Sequence, residues 1–207
     1  MTPSDAMVDA KTPLNEFLDA TAARQPTPGG GAVAALAGAL AASMGEMAVN
    51  YSIGKKGLAA HEPTLREALA ELNRARQLLM QLMVEDQQAY EALSAAKKLP
   101  QTSPERQKDF EIALLACVRV PQGIGTTALA VLELADRLAD KTNPYLRSDL
   151  AVCCELSMAT IRCAAYNVRA NLADVTDPAD CKSIEKSAQQ LIDRARPIIQ
   201  RAIPLLI

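Results

Sequence analysis

Tryptophan is absent from this 207-residue chain, aromatic residues make up 3% of it, and there is a single histidine. Few segments show the β-branched, alternating pattern of strands, which leaves helices as the main structural material. Lysine and arginine total 22 against 24 acids, a net charge of −2, so there is no basic excess to neutralise phosphates and no nucleic-acid partner is expected. The five cysteines (Cys117, Cys153, Cys154, Cys163, Cys181) form no C-x-x-C pair, and one histidine does not complete a metal-ligand spacing. They read as reduced thiols of a cytoplasmic protein, packed as small apolar groups. The first residues, MTPSDAMVDAKTP, lack the apolar run of a signal peptide, and residues 1–12 are expected to be flexible. The longest apolar stretch is rich in Ala and Gly and is interrupted by Glu46, so neither a transmembrane span nor a membrane partner is expected.

What the chain has in abundance is Ala, Gly and Leu in one stretch, PTPGGGAVAALAGALAASM, residues Pro26–Met44. Gly29, Gly30 and Gly31 bring no side-chain chemistry and offer bare backbone. A glycine run that opens a helix lets another group approach the main chain and leaves N–H groups unpaired at the positive end of the helix dipole. It suits either a hinge or a ligand cradle. Small residues continue through Ala34, Ala37, Gly38, Ala41, Ala42 and Gly45, so a neighbouring helix of this or a second subunit can pack unusually close.

The punctuation divides a single domain, residues 1–207, into about six helices. The first covers Leu14–Ala23 and the second Gly31–Tyr51, ended by SIGKKG. The third follows Pro63 and runs to Lys97. The fourth begins near Pro104, with Pro121, Gly123 and Gly125 expected to kink or split it, and resumes to Lys141. A loop at Thr142–Pro144 precedes a helix over Asp149–Leu172, and the last helix starts at Pro178 or Ala179 and ends at Ala202. The fold class is all-α, a bundle with several long helices.

Two helices carry polar groups where the pattern asks for apolar ones. Leu65, Leu72, Leu79 and Leu93 recur at seven-residue steps, and the position between Leu79 and Leu93 is Asp86. A carboxylate on a buried seam is costly when ionised, so its pKa rises, which suits a general acid or base. It can equally cap a helix end or pair with an arginine, and neighbouring Glu85 can share the position. Asp149 and Asn167 lie 18 residues apart, five full turns, and so share one helix face, with Asn171 one turn beyond. That spacing spans roughly 27 Å, so the two cannot touch one reacting atom in one subunit. Asp149 can also be a helix-start residue with Ser148 as N-cap, and the asparagines can join helices. Lys55 and Lys56 follow a helix end, where cations meet the negative terminus of the dipole or a ligand carboxylate.

Taken together, these residues resemble the formiminotransferase-cyclodeaminase C-terminal domain family, which includes stand-alone bacterial methenyltetrahydrofolate cyclohydrolases. The likeness rests on the glycine stretch and SIGKKG, then Asp86 in EDQQAY, Pro121 in RVPQG, Asn143 and Ser148–Asp149 in TNPYLRSD, and Asn167 and Asn171 in NVRAN. The resemblance implies an all-helical subunit that forms a homodimer through helices, with a tetrahydrofolate derivative as substrate near the subunit contact and no bound cofactor or metal. It implies hydrolysis of 5,10-methenyltetrahydrofolate to 10-formyltetrahydrofolate, or closure of 5-formiminotetrahydrofolate with loss of ammonia; a non-catalytic folate-binding protein is the third possibility. On this reading Asp86 is the first candidate for proton transfer and Asp149 the second. Gly29, Gly30 and Gly31 approach the ligand, and Lys55 or Lys56 meets its glutamate tail. Ser148 belongs to the same matched set, and Asn143, Asn167 and Asn171 bond the pterin.

Overall fold

The computed structural model describes residues 7–207, in which six α-helices account for the architecture and no strand is present among the described residues. These are α1 (Leu14–Ala22), α2 (Gly30–Asn50), α3 (Glu62–Lys98), α4 (Pro104–Leu138), α5 (Arg147–Asn171) and α6 (Pro178–Leu206). Their starts follow local chemistry. Pro63, Pro104 and Pro178 occupy first-turn positions where a missing N–H costs nothing. Asp177 caps α6 by accepting the Ala179 N–H at 2.7 Å. Lys97 and Lys98 sit in the last turn of α3, against the negative end of its dipole.

Helix α2 lies at the centre, packed against α3 on one side and α5 on the other, with α4 behind. Its small residues explain how. A β-carbon on Gly38 would stand 3.1 Å from both the Leu79 and Thr160 side chains, and one on Gly45 would stand 3.1 Å from Leu72. The small-residue face therefore meets α3 and α5 of the same subunit. Leu65, Leu72 and Leu79 of the α3 seam are fully buried there, each contributing about 1.5–3 kcal/mol of apolar burial. Helices α2 and α4 are long and apolar enough by composition to cross a membrane, yet both are core helices of this bundle.

Several expectations are corrected. Helix α4 is not split at Pro121 but runs unbroken from Pro104 to Leu138. Pro121 cannot donate to the Cys117 carbonyl one turn back; the Asn171 side-chain amide of α5 donates to that oxygen instead, at 3.0 Å. Helix α6 continues past Ala202 to Leu206, its buried Ala188, Ile192, Ala195, Ala202 and Leu206 forming one face against the core. Ser148 is not an N-cap, because α5 already begins at Arg147. Of the segment expected to be flexible, residues 1–6 lie outside the described residues. Val8 is buried and tied to α3, where the Gln87 amide accepts its N–H at 3.3 Å and donates to its carbonyl at 2.9 Å. Cys163 is exposed rather than packed in the core, whereas Cys117, Cys153 and Cys154 are buried.

Candidate active site at the glycine turn

The glycine turn and Asp86 meet in space. Gly29 is the N-cap of α2, and Gly30 and Gly31 form its first turn. A β-carbon on Gly31 would fall 2.0 Å from Asp86 Oδ1, so only glycine lets the α3 carboxylate reach the start of α2. Glu85 is exposed and plays no part in this contact. The Ala32 N–H in the first turn of α2 faces the Asp86 carboxylate and favours its charged form. Burial nonetheless raises the Asp86 pKa above its ordinary value near 3.8, the Ala32 bond opposing that shift without cancelling it. The α2 dipole supplies a further positive field at this point.

On the other flank α5 places Asn167 against Gly30, where a β-carbon would lie 3.1 Å from Asn167 Oδ1. The Asn167 amide nitrogen donates to the Cys163 carbonyl at 2.9 Å, and that of Asn171 donates to the Asn167 and Cys117 carbonyls at 2.9 and 3.0 Å. Both N–H donors of Asn171 are thereby engaged by backbone, which leaves its Oδ1 as an acceptor for a ligand, whereas Asn167 keeps one N–H as well as its Oδ1. Gly29–Gly31, Asp86, Asn167 and Asn171 line one cavity of about 360 Å³. Thr27, Tyr90, Leu93, Lys97, Cys117 and Asp174 are also part of its wall. The Cys117 thiol is pushed up to about 11, by burial first and then by the charge of Asp86, so it stays protonated at neutral pH and is no nucleophile.

The remaining candidates gather at the opposite end of α2, about 30 Å away along its 21 residues. Asn143 is buried there in a structural network. Its N–H donates to Ser52 Oγ at 2.8 Å, and its Oδ1 accepts the Tyr145 N–H at 3.2 Å, capping a short 3-10 turn. Lys55, Lys56 and Ser148 are exposed and Asp149 is half-buried in the first turn of α5. Within one subunit these five do not join the glycine cavity, so Asn143 cannot bond a pterin, nor Lys55 or Lys56 a glutamate tail, lodged in that same subunit's cavity.

The family model for formiminotransferase-cyclodeaminase matches residues 13–190. The chain belongs to this family. A methenyltetrahydrofolate cyclohydrolase of Methylorubrum extorquens is 31% identical over 192 residues, covering 91% of this chain and 92% of that one. The formimidoyltransferase-cyclodeaminase of Gallus gallus is 29% identical over 188 residues, 89% of this chain but 35% of that longer protein. Among solved structures, formiminotetrahydrofolate cyclodeaminase from Thermotoga maritima superposes with a TM-score of 0.87 at 28% identity, over 95% of this chain and 96% of that one. The all-α formiminotransferase-cyclodeaminase fold expected from sequence is therefore the observed one.

Sequence reasoning missed part of the cavity. Tyr90 and Lys97 follow Asp86 by four and eleven residues, one and three helical turns, so periodicity along α3 was enough to place them on its face. Cys117 is buried, as expected of a core thiol, and also lines the site. Asp174 lies in a 3-10 turn after α5, where no periodic signal exists.

Proposed function

We propose that the protein is a methenyltetrahydrofolate cyclohydrolase. The observation that carries this reading is the Asp86 carboxylate, partly desolvated and held against the bare backbone of Gly31 in a family whose members act on one-carbon folates. The substrate is a cation whose charge is shared between N5, N10 and the bridging carbon. A carboxylate beside that carbon stabilises the charge and accepts a proton from the attacking water. Water oxygen bonds to the carbon, and one proton passes to Asp86. Collapse breaks the bond from carbon to N5. Asp86 returns its proton to N5, the hydroxyl proton leaves to solvent, and the carbon becomes the formyl group on N10. The raised pKa makes the carboxylate a stronger base for the first transfer and brings it nearer the pH at which one group can both take and give a proton. Asn167 and Asn171 offer Oδ1 acceptors to the N–H edge of the pterin, and Gly29–Gly31 let its ring approach the main chain.

The active unit is a cytoplasmic homodimer. Along the outer face of α2, Val33, Leu40 and Tyr51 are exposed and Met47 is half-buried, an unbroken apolar stripe at helical spacing. Two copies pairing antiparallel along that stripe set the Lys55, Lys56, Asn143, Ser148 and Asp149 end of one subunit beside the glycine turn of the other. That arrangement gives the second group of candidates, with Asp149 as second acid, a route to the ligand that a single subunit denies them.

The cyclodeaminase reaction is the second reading, favoured by the close superposition on the Thermotoga maritima enzyme. It passes through the same tetrahedral carbon, with ammonia leaving in place of addition of water. One pair of assays separates them. Purified protein is expected to discharge the absorbance of methenyltetrahydrofolate, and to release no ammonia from 5-formiminotetrahydrofolate. Ammonia release with ring closure would select the second reading, and folate binding with neither reaction would reject both.

A further inference from the structure

The stripe of α3 that carries Asp86 also carries Tyr90, Leu93 and Lys97, and all four line the glycine cavity. Asp86 and Lys97 are three turns apart, roughly 16 Å along the helix axis. Among the described residues that line the cavity, Lys97 is the only cation. Its Nζ lies 2.6 Å from Asp174 Oδ2 and 5.9 Å from the centre of the Phe110 ring. The pair is half-open to solvent, with side-chain exposures of 46% and 34%, a setting in which an ion pair adds little to stability and is readily exchanged for another carboxylate. This order of groups matches the order along a reduced folate: a reacting carbon, an aromatic benzoyl ring, then a carboxylate on the glutamate.

Building on the functional reading above, we infer that Lys97 anchors the anionic end of the substrate, its ammonium passing from Asp174 to the α-carboxylate of the glutamate. Tyr90, half-exposed between Asp86 and Lys97, meets the benzoyl ring. Helix α3 thus acts as a ruler: with the glutamate held at Lys97, the bridging carbon lies at Asp86. Asp174 competes with the ligand for Lys97 and holds the ammonium over the cavity when no ligand is bound.

The test compares two ligands by calorimetry under anaerobic conditions: tetrahydrofolate, and tetrahydropteroate, which lacks the glutamate. The wild-type protein is expected to bind tetrahydrofolate about tenfold more tightly. Lys97→Met should abolish that preference while leaving the affinity for tetrahydropteroate within about twofold, and Lys97→Arg should keep it. Asp174→Asn should tighten tetrahydrofolate binding and so widen the preference, because it removes the competitor. Thermal melts of each variant confirm folding. A Lys97→Met protein that still prefers tetrahydrofolate, or that loses affinity equally for both ligands, overturns the assignment while the catalytic reading stands. A wild-type protein that binds neither ligand overturns both.

Discussion

The two ends of α2 are both polar and both gather residues from several helices, yet their polar groups are treated in opposite ways. At the far end Ser52 is fully buried, donates to the Ala48 carbonyl at 2.6 Å and accepts the Asn143 N–H at 2.8 Å. Every bond there joins one part of the chain to another. At the glycine end Asp86 has the Ala32 N–H for a partner, no cation among its neighbours that lowers its pKa, and a burial that works against its charge. A polar group tied off by backbone holds the fold. A carboxylate kept short of partners beside an open cavity is the arrangement expected of a group that transfers protons, and it comes at some expense of stability.

Breaking the glycine end should cost the most activity. Asp86→Asn is expected to lower kcat for methenyltetrahydrofolate hydrolysis by about 100-fold or more, measured by loss of substrate absorbance. The same variant should melt no lower than wild type at neutral pH. The sign follows from the raised pKa: the native state holds its proton to higher pH than the unfolded chain, so ionised Asp86 lowers stability above the ordinary value near 3.8. The difference in melting temperature between Asp86→Asn and wild type should therefore shrink as pH falls below that value, where both states are protonated. A variant that melts well below wild type at neutral pH would make Asp86 a structural cap.

Next in size is Gly31→Ala. Its methyl group would collide with Asp86 Oδ1, so the carboxylate must swing away. We expect roughly 1–3 kcal/mol of destabilisation by chemical denaturation, with a fall in kcat of at least about tenfold. Adding Asp86→Ala should recover most of the stability and none of the activity. If the two substitutions add without interaction, the contact is not the one described here.

The far end should respond in the other way. Ser52→Ala leaves the buried Asn143 N–H without its acceptor and is expected to cost about 1–3 kcal/mol, read from denaturant unfolding. Its kcat per folded molecule should stay near that of wild type. A smaller effect again concerns pH: kcat/KM should fall toward acid with an inflection above 3.8, reporting the raised pKa of Asp86, and Asp86→Asn should remove that inflection.

The seam of α3 shows why Asp86 was legible in the sequence. Four leucines at seven-residue steps are a pattern strong enough that one acid within it stands out, and the glycine run identified what it would meet. The helices were legible from their prolines and glycines for the same reason. The expected split at Pro121 does not occur because Asn171, 50 residues further on, replaces the hydrogen bond that proline removes. No local pattern carries that information. For Asn143 the sequence shows a loop asparagine but not its partners; the fold supplies them, the Tyr51 carbonyl and the Tyr145 N–H, and sets the residue at the far end of α2 from its own subunit's cavity. Spacing along α5 did show that Asp149 and Asn167 could not share one atom in one subunit, and the fold bears out that separation.

The most direct test is a crystal structure of the protein with tetrahydrofolate bound. The account predicts the pterin against Gly29–Gly31, with N5 and N10 facing the Asp86 carboxylate. A ligand held at Asp149 and Asn143 of one subunit, away from the glycine turn of any subunit, would contradict it.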